Sequence, residues 1–159
     1  MKLEKIAVAT PLGIAKINGD ADGVRSLIFT DKKSPVTKVI PEVLQECVTQ
    51  LEEYFNGTRT EFTVKINPQG TEFQRKTWKS LQAISYGKTM SYLEQSKVLN
   101  KPKAIRAVAN ANGKNLLAII IPCHRVIGTD GSLTGYAGGL WRKKWLLEHE
   151  SENKQQSLF

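Results

Sequence analysis

The chain is short of the ligands that metal and disulfide chemistry need. Its 159 residues include two cysteines, Cys47 and Cys123, and two histidines, His124 and His149. Neither Cys-x-x-Cys nor His-x-x-x-His occurs. This argues against a structural zinc site, and no metal or other cofactor is expected. Two cysteines could close one disulfide, but nothing points to an oxidising compartment, so free thiols are expected. No apolar run approaches the ~20 residues that span a bilayer. The start, Met1-Lys2-Leu3-Glu4-Lys5, lacks the apolar core of a secretory signal. The expectation is a cytoplasmic monomer with no membrane partner.

Acidic residues are missing from one region in particular. The formal net charge is +8. Residues 1–66 hold nine Lys/Arg against nine Asp/Glu, whereas residues 88–125 hold seven basic residues against the single acid Glu94. A polyanion fits such a segment, with phosphates supplying most of the affinity. A solvated basic face is the alternative.

What is present is an ordinary globular composition, 40% hydrophobic and 24% charged, enough for one medium domain or two small ones. Residues 3–30 read as β-structure, with turns at Pro11-Leu12-Gly13, Asn18-Gly19 and Asp22-Gly23. Residues 41–55 read as an amphipathic helix stopped by Asn56-Gly57, with Cys47 on its apolar stripe as packing. Phe62, Val64 and Ile66 alternate as in a strand. Residues 1–69 thus form an N-terminal α/β scaffold domain without recognisable chemistry.

From residue 70 to 150 the pattern changes to helices. Thr71-Glu72-Phe73-Gln74 and Ser91-Tyr92-Leu93-Glu94 are capping boxes. The first opens a helix ending near Tyr86-Gly87, the second a helix running to about Leu99. Pro102 suits the first position of a further helix over 102–111, whose Ala104, Ala107, Ala109 and Ala111 make it small-sided. The last two helices form a helix-turn-helix unit. Their tight packing or a close approach to nucleic acid would each explain the alanines. Asn112 to Asn115 is a loop. A last helix over about 139–150 pairs Trp141 with Trp145 and Leu140 with Leu147. Residues 151–159 form a polar tail expected to be disordered.

The stretch Ile119-Ile120-Ile121-Pro122-Cys123-His124-Arg125-Val126-Ile127 delivers a Cys-His pair from an apolar run, after a proline that ends regular structure. Buried filler and nucleophile are both open for Cys123. The adjacent His124, whose proton changes hands near neutral pH, and the charged Arg125 favour the second. Glu150 lies four positions after Leu146 and three after Leu147, which points its carboxylate towards the core. There it needs a partner, and His124 and Arg125 are the candidates. A solvated Glu150 on a frayed helix end is the alternative.

Taken together these motifs resemble the O6-alkylguanine-DNA alkyltransferases, also called methylated-DNA–protein-cysteine methyltransferases. The likeness covers about residues 70–150, through Gly70-Thr71-Glu72-Phe73-Gln74, Ser91-Tyr92, Arg106-Ala107-Val108, Asn115, Pro122-Cys123-His124-Arg125-Val126 and Tyr136-Ala137-Gly138-Gly139. It implies an α/β (α+β) fold, with a small sheet-and-helix domain followed by a mainly helical domain carrying a winged-helix-like helix-turn-helix. It also implies direct damage reversal. Duplex DNA is bound through the minor groove, O6-alkylguanine (with O4-alkylthymine as a further candidate) is flipped out, and the alkyl group passes irreversibly to Cys123.

By the same resemblance His124 deprotonates Cys123 through a water, and Glu150 orients His124. Asn115 holds the active-site turn, and Tyr92 protonates guanine N3. Arg106 enters the base stack in place of the flipped nucleotide. Ser91, Lys103, Ala104, Ala107 and Arg125 are further candidate DNA contacts. Val126, Tyr136, Ala137 and Gly138 are candidates for the guanine pocket. Leu116, Ala109, Ala137 and Ser85 depart from the residues common in the family, and none removes a proposed catalytic group. A non-catalytic damage sensor and a sequence-reading helix-turn-helix regulator are the competing readings. Each leaves Cys123 without a role.

Overall fold

Alternating apolar and polar side chains in the first thirty residues build an antiparallel sheet in a computed structural model that describes residues 2–156. Strands β1 (Glu4–Thr10), β2 (Gly13–Asp20) and β3 (Gly23–Thr30) lie in sequence order. The β2–β3 hairpin turns at Asp22-Gly23, where Gly23 has φ 130° and a Cβ would come within 2.9 Å of the Ile66 backbone. Asn18-Gly19, expected as a turn, lies inside β2, where the register shifts. A Cβ at Gly19 would meet the Gly23 carbonyl oxygen at 2.7 Å, so this glycine serves a bulge.

Helix α1 (Glu42–Phe55) follows Pro41 and lays Leu44, Cys47, Leu51 and Tyr54 on the sheet, all buried. Phe62–Ile66 is not the strand its alternation suggests. The segment bridges β3 only at Val24–Ile66. Buried Gln50 takes the place of a ladder, its Oε1 accepting from Thr63 N at 2.9 Å and Val64 N at 3.2 Å. The structure divides into two compact units, residues up to Gln69 with Leu116–Ala118, and Gly70–Asn115 with the residues from Ile119 on. Within the first unit, the Leu27 amide donates to Leu116 O at 2.7 Å and the Ala118 amide to Leu27 O at 3.0 Å.

The second unit is mainly helical. Helix α2 (Glu72–Gln82) starts on the Thr71–Gln74 capping box and stops short of the expected Tyr86-Gly87. After the two-residue strand β4 (Met90–Ser91), helix α3 (Tyr92–Val98) starts on the Ser91–Glu94 box. Helix α4 (Ile105–Gly113) begins three residues beyond Pro102. Residues 101–104 are spent on a turn closed by Ala104 N to Lys101 O at 2.9 Å, with Asn100 at φ 58° just before it, a backbone state asparagine tolerates. The α4 end absorbs Asn112 and Gly113, which the sequence reading assigned to a loop. Trp78 Nε1 donates to Ala111 O at 2.7 Å and ties α2 to α4. Gln95 and Asn112 exchange amide hydrogen bonds of 3.0 and 2.7 Å between α3 and α4.

The chain closes with helix α5 (Leu140–Gln156). It runs through residues 151–156, expected as disordered tail, because Glu152, Lys154, Gln155 and Gln156 are good helix formers and no breaker intervenes. The rest of that tail, 157–159, lies outside the described residues. The expected Trp141–Trp145 pair does not form. Trp141 is exposed under the Arg142 guanidinium, 4.5 Å from its ring centroid, and Trp145 stacks on His149 at 4.8 Å. The buried face of α5 is instead Arg142, Lys143, Leu146 and Glu150. Among the described residues no helix is long and apolar enough to cross a membrane.

Candidate active site

Pro122 prevents the buried run Ile119–Ile121 from continuing as regular structure, and Cys123 opens a short 3-10 turn, Cys123–Arg125. Strand β5 (Val126–Ile127) leaves this turn and pairs in parallel with β4. Ile119 adopts φ 71°, an outlying conformation for a β-branched residue that only a well-determined surrounding maintains. Part of that surrounding is Asn115, whose Nδ2 donates to Ile121 O at 2.8 Å across the turn. Cys123 is half-buried, whereas Cys47 is enclosed in the first unit, its thiol pushed up to about 12 by burial and then by Glu46. Burial also pushes the Cys123 thiol up, while a hydrogen bond from Asn115 and the charge of Lys143 pull it down.

Behind Cys123 stands a buried charge cluster. His124, with no exposed surface, contacts Glu150 Oε2 through Nε2 at 2.7 Å. Arg125 grips the same carboxylate with two bonds, Nε to Oε1 at 2.8 Å and an η-nitrogen to Oε2 at 3.0 Å, and donates to Ile84 O at 2.7 Å. Burial alone would raise the Glu150 carboxyl, but His124 and then Arg125 hold it well below the usual carboxylate range. Glu150 is therefore ionised and accepts only, which puts the Nε2 proton on His124 and leaves Nδ1 as the nitrogen with a lone pair to offer. Nδ1 is buried and has no hydrogen-bond partner among the described residues.

In front of Cys123 opens a cavity of about 340 Å³. Helix α4 lines it with Ile105, Arg106, Ala109 and Asn112, and the loop before α5 with Thr134 to Ala137. Tyr92 sits between them and donates to Thr134 O at 3.3 Å. The same carbonyl accepts from Lys143 Nζ at 2.8 Å. Tyr136 has its hydroxyl buried without a partner among the described residues. Burial first, then the charge at Cys123, keeps that hydroxyl protonated well above the ordinary tyrosine range. A Cβ at Gly138 would come within 2.9 Å of the Tyr136 ring, so a larger residue there would displace that ring.

The sequence candidates thus fall into groups. Cys123, Tyr92, Arg106, Tyr136 and Ala137 share the cavity, with Asn115, His124 and Glu150 supporting the turn behind it. Arg106, Lys103 and Ala107 are exposed, with Ala104 partly so, on or beside the α4 surface next to the cavity mouth. Val126 is wholly buried, and neither it nor Gly138 lines the cavity. Two candidates are corrected. Arg125, expected to meet DNA, is buried with its guanidinium committed to Glu150 and Ile84. Ser91, likewise expected at DNA, is buried and its hydroxyl caps α3 through Glu94 N at 3.0 Å.

Sequence reasoning missed Lys143 and Asn112. Lys143 had a readable signal, since it precedes Leu146 by three and Glu150 by seven and so shares their helical face. Among the described residues no group of three or more His, Cys, Asp or Glu could hold a metal ion.

Two family descriptions match the chain, "6-O-methylguanine DNA methyltransferase, DNA binding domain" over residues 72–152 and "6-O-methylguanine DNA methyltransferase, ribonuclease-like domain" over residues 5–68. The methylated-DNA–protein-cysteine methyltransferase of Methanosarcina barkeri is 43% identical over 153 residues, covering 92% of this chain and 96% of its own. That of Mycolicibacterium paratuberculosis is 41% identical, covering 98% and 97%. The crystal structure of Mycobacterium tuberculosis OGT in complex with DNA matches with a TM-score of 0.84 and 42% identity over 92% of each chain.

Proposed function

This chain belongs to the 6-O-methylguanine DNA methyltransferase family, and we propose that it reverses alkylation damage in DNA by taking the alkyl group from O6-alkylguanine onto Cys123. One observation carries the reading. A half-buried cysteine stands between a base-bearing cluster, His124–Glu150–Arg125, and a cavity that α4 lines with Ile105, Arg106, Ala109 and Asn112.

The resting thiol is protonated, so attack needs its proton removed. His124 receives that proton at Nδ1, through a water, while Glu150 stabilises the imidazolium that results. The Cys123 sulfur then bonds to the alkyl carbon as the carbon–O6 bond breaks, and that electron pair stays on guanine. Guanine takes up a proton, with Tyr92 as donor at N3, so the proton lost by the thiol is balanced. A thioether is not hydrolysed under these conditions, so each molecule reacts once. Asn115 holds the turn that presents the sulfur.

DNA is bound through the minor groove by α4, with Arg106 replacing the flipped base in the stack. Arg106 supports this role by being exposed at the cavity mouth. Lys103, Ala104 and Ala107 meet the backbone beside it. The protein acts as a monomer in the cytoplasm, in keeping with its two free cysteines.

The test is intact-protein mass after incubation with an oligonucleotide containing O6-methylguanine, followed by peptide mapping. One methyl per protein, on the peptide containing Cys123, is expected. Tight binding to the damaged duplex with no added mass would replace transfer with damage sensing.

A further inference from the structure

The first turn of α5 is an unfavourable place for Arg142. A guanidinium stays charged, the positive end of the helix dipole repels it, and only 3% of the residue is exposed. Two contacts that offset this cost involve the residues just before it. An η-nitrogen donates to Gly138 O at 2.7 Å, and the guanidinium carbon lies 4.5 Å from the centre of the Trp141 ring. A flat cation over an indole face is a favourable pairing. It gives exposed Trp141 a task that core packing does not.

The loop that Arg142 grips supplies a wall of the cavity at Cys123, through Thr134 to Ala137. One end of this loop is pinned at Thr134 O, which accepts from Tyr92 and Lys143. Next to it Gly135 has φ 43° and open space where a Cβ would sit, so packing does not set the path there. The other end is layered closely. A Cβ at Gly138 would lie 2.9 Å from the Tyr136 ring and 3.4 Å from Arg142 Cδ. One at Gly139 would lie 3.4 Å from Trp141 Cδ1. The side chains of Arg142 and Trp141 thus lie against the two glycines that end the loop.

We infer that Arg142, backed by Trp141, is a positioning residue for substrate binding, its bond to the Gly138 carbonyl latching the loop so that Tyr136 and Ala137 stand as the cavity wall. The inference rests on this cavity being the site of the alkylated base. The bonds that shape the nucleophile, those of Glu150 with His124 and Arg125 and that of Asn115 with Ile121 O, are made by other residues. Arg142 therefore acts on how well the base is held, and His124 on the proton. A loop released at Gly138 has to be ordered each time a substrate enters, and that ordering weakens binding. Such a loss shows in the half-saturating concentration and not in the limiting rate.

The test uses free O6-benzylguanine in excess over protein, with the benzyl group read by mass on the peptide containing Cys123. The rate is followed against concentration for the wild type, Arg142→Met, Arg142→Lys and Trp141→Ala. Arg142→Met is expected to raise the half-saturating concentration about tenfold and to leave the limiting rate within about twofold. Arg142→Lys still donates but lacks the planar fork, so it should recover part of that loss. Trp141→Ala should show a smaller rise of the same kind. The pH profile of Cys123 alkylation by iodoacetamide, a reagent that needs no bound base, should superpose on the wild type in all three.

An unchanged half-saturating concentration in Arg142→Met would overturn the inference, as would Arg142→Lys shifting as far as Arg142→Met. A fall in limiting rate alone, or a shifted iodoacetamide profile, would also overturn it, since either places Arg142 on the nucleophile. Should Arg142→Met not fold by circular dichroism, Arg142→Gln is judged by the same criteria. A wild type that reacts with iodoacetamide yet gains no alkyl group from O6-benzylguanine or from an O6-methylguanine duplex would sink the substrate reading, and this inference with it. Transfer by the wild type with Arg142→Met unchanged would sink the inference alone.

Discussion

Glu150 Oε2 meets His124 Nε2 at 2.7 Å while Arg125 clasps both oxygens of the same carboxylate. One side chain thus fixes which nitrogen of the histidine carries the proton and neutralises the arginine beside it. Removing the charge from Glu150 has two separable effects. Glu150→Gln leaves Arg125 buried without its counter-charge, and breaking such a pair costs about 3–5 kcal/mol. It also frees His124 to adopt the wrong tautomer. We expect a large drop in urea midpoint and a slower transfer. His124→Ala, which leaves the Arg125–Glu150 pair intact, should slow transfer by about 10²–10⁴-fold with a smaller loss of stability. Equal stability losses in the two variants would show that the arginine is not what Glu150 chiefly serves.

The same carboxylate makes stability depend on acid. Glu150 is held well below the usual carboxylate range by His124 and Arg125, whereas in the unfolded chain it titrates near ~4.3. Below that ordinary value the unfolded state binds a proton that the folded state refuses, so stability is full at neutral pH and falls as the solution is acidified. Urea titrations from pH 7 down to pH 3 should show this decline. Glu150→Gln should flatten it. A variant that declines as steeply as the wild type would assign the acid sensitivity to other carboxylates.

Asn115 is predicted to matter out of proportion to its size. Its Nδ2 bond to Ile121 O at 2.8 Å is buried, it lowers the Cys123 thiol against burial, and it braces the turn in which Ile119 holds φ 71°. Asn115→Ala removes one of two hydrogen bonds to the Ile121 carbonyl, which keeps the Cys123 amide at 2.8 Å, at a cost of about 0.5–1.5 kcal/mol. The iodoacetamide profile of Cys123 should move to higher pH in the same variant, while Cys47, enclosed and with its thiol near 12, stays unreactive in both. A stability loss without any shift in that profile would limit Asn115 to a structural role.

Local chemistry was the legible part of this chain. The Thr71–Gln74 and Ser91–Glu94 capping boxes involve residues three apart and form as read. So does the encounter of Glu150 with His124 and Arg125, because helical spacing alone turned Glu150 inward. The failures are those in which a distant group decides. Phe62–Ile66 alternates like a strand, but the Gln50 amide takes two of its backbone donors. Asn18-Gly19 has turn chemistry, yet a bulge uses the glycine. Arg125 was legible as a partner of Glu150, but its place in a basic segment also made it a candidate DNA contact, a role its buried guanidinium does not fill. The pairing of Trp141 with Trp145 assumed that aromatics choose the buried face of α5, which charged Arg142, Lys143 and Glu150 occupy instead.

Arg106 and Lys103 are both exposed cations on or beside α4, but they are predicted to fail differently. A residue that fills the gap left by a flipped base acts only when the substrate sits in a duplex. Arg106→Ala should therefore slow methyl transfer from duplex DNA much more than reaction with free O6-benzylguanine, which needs no flipping. Lys103→Ala should weaken binding to damaged and undamaged duplex alike and lower the slope of log affinity against log salt by about one. Transfer rates at saturating duplex and on the free base should stay near wild type. Transfer kinetics on the two substrates, together with a salt titration of binding, separate these outcomes. Equal losses for Arg106→Ala on duplex and free base would remove it from the flipping step. An unchanged salt slope for Lys103→Ala would take that lysine off the phosphate backbone.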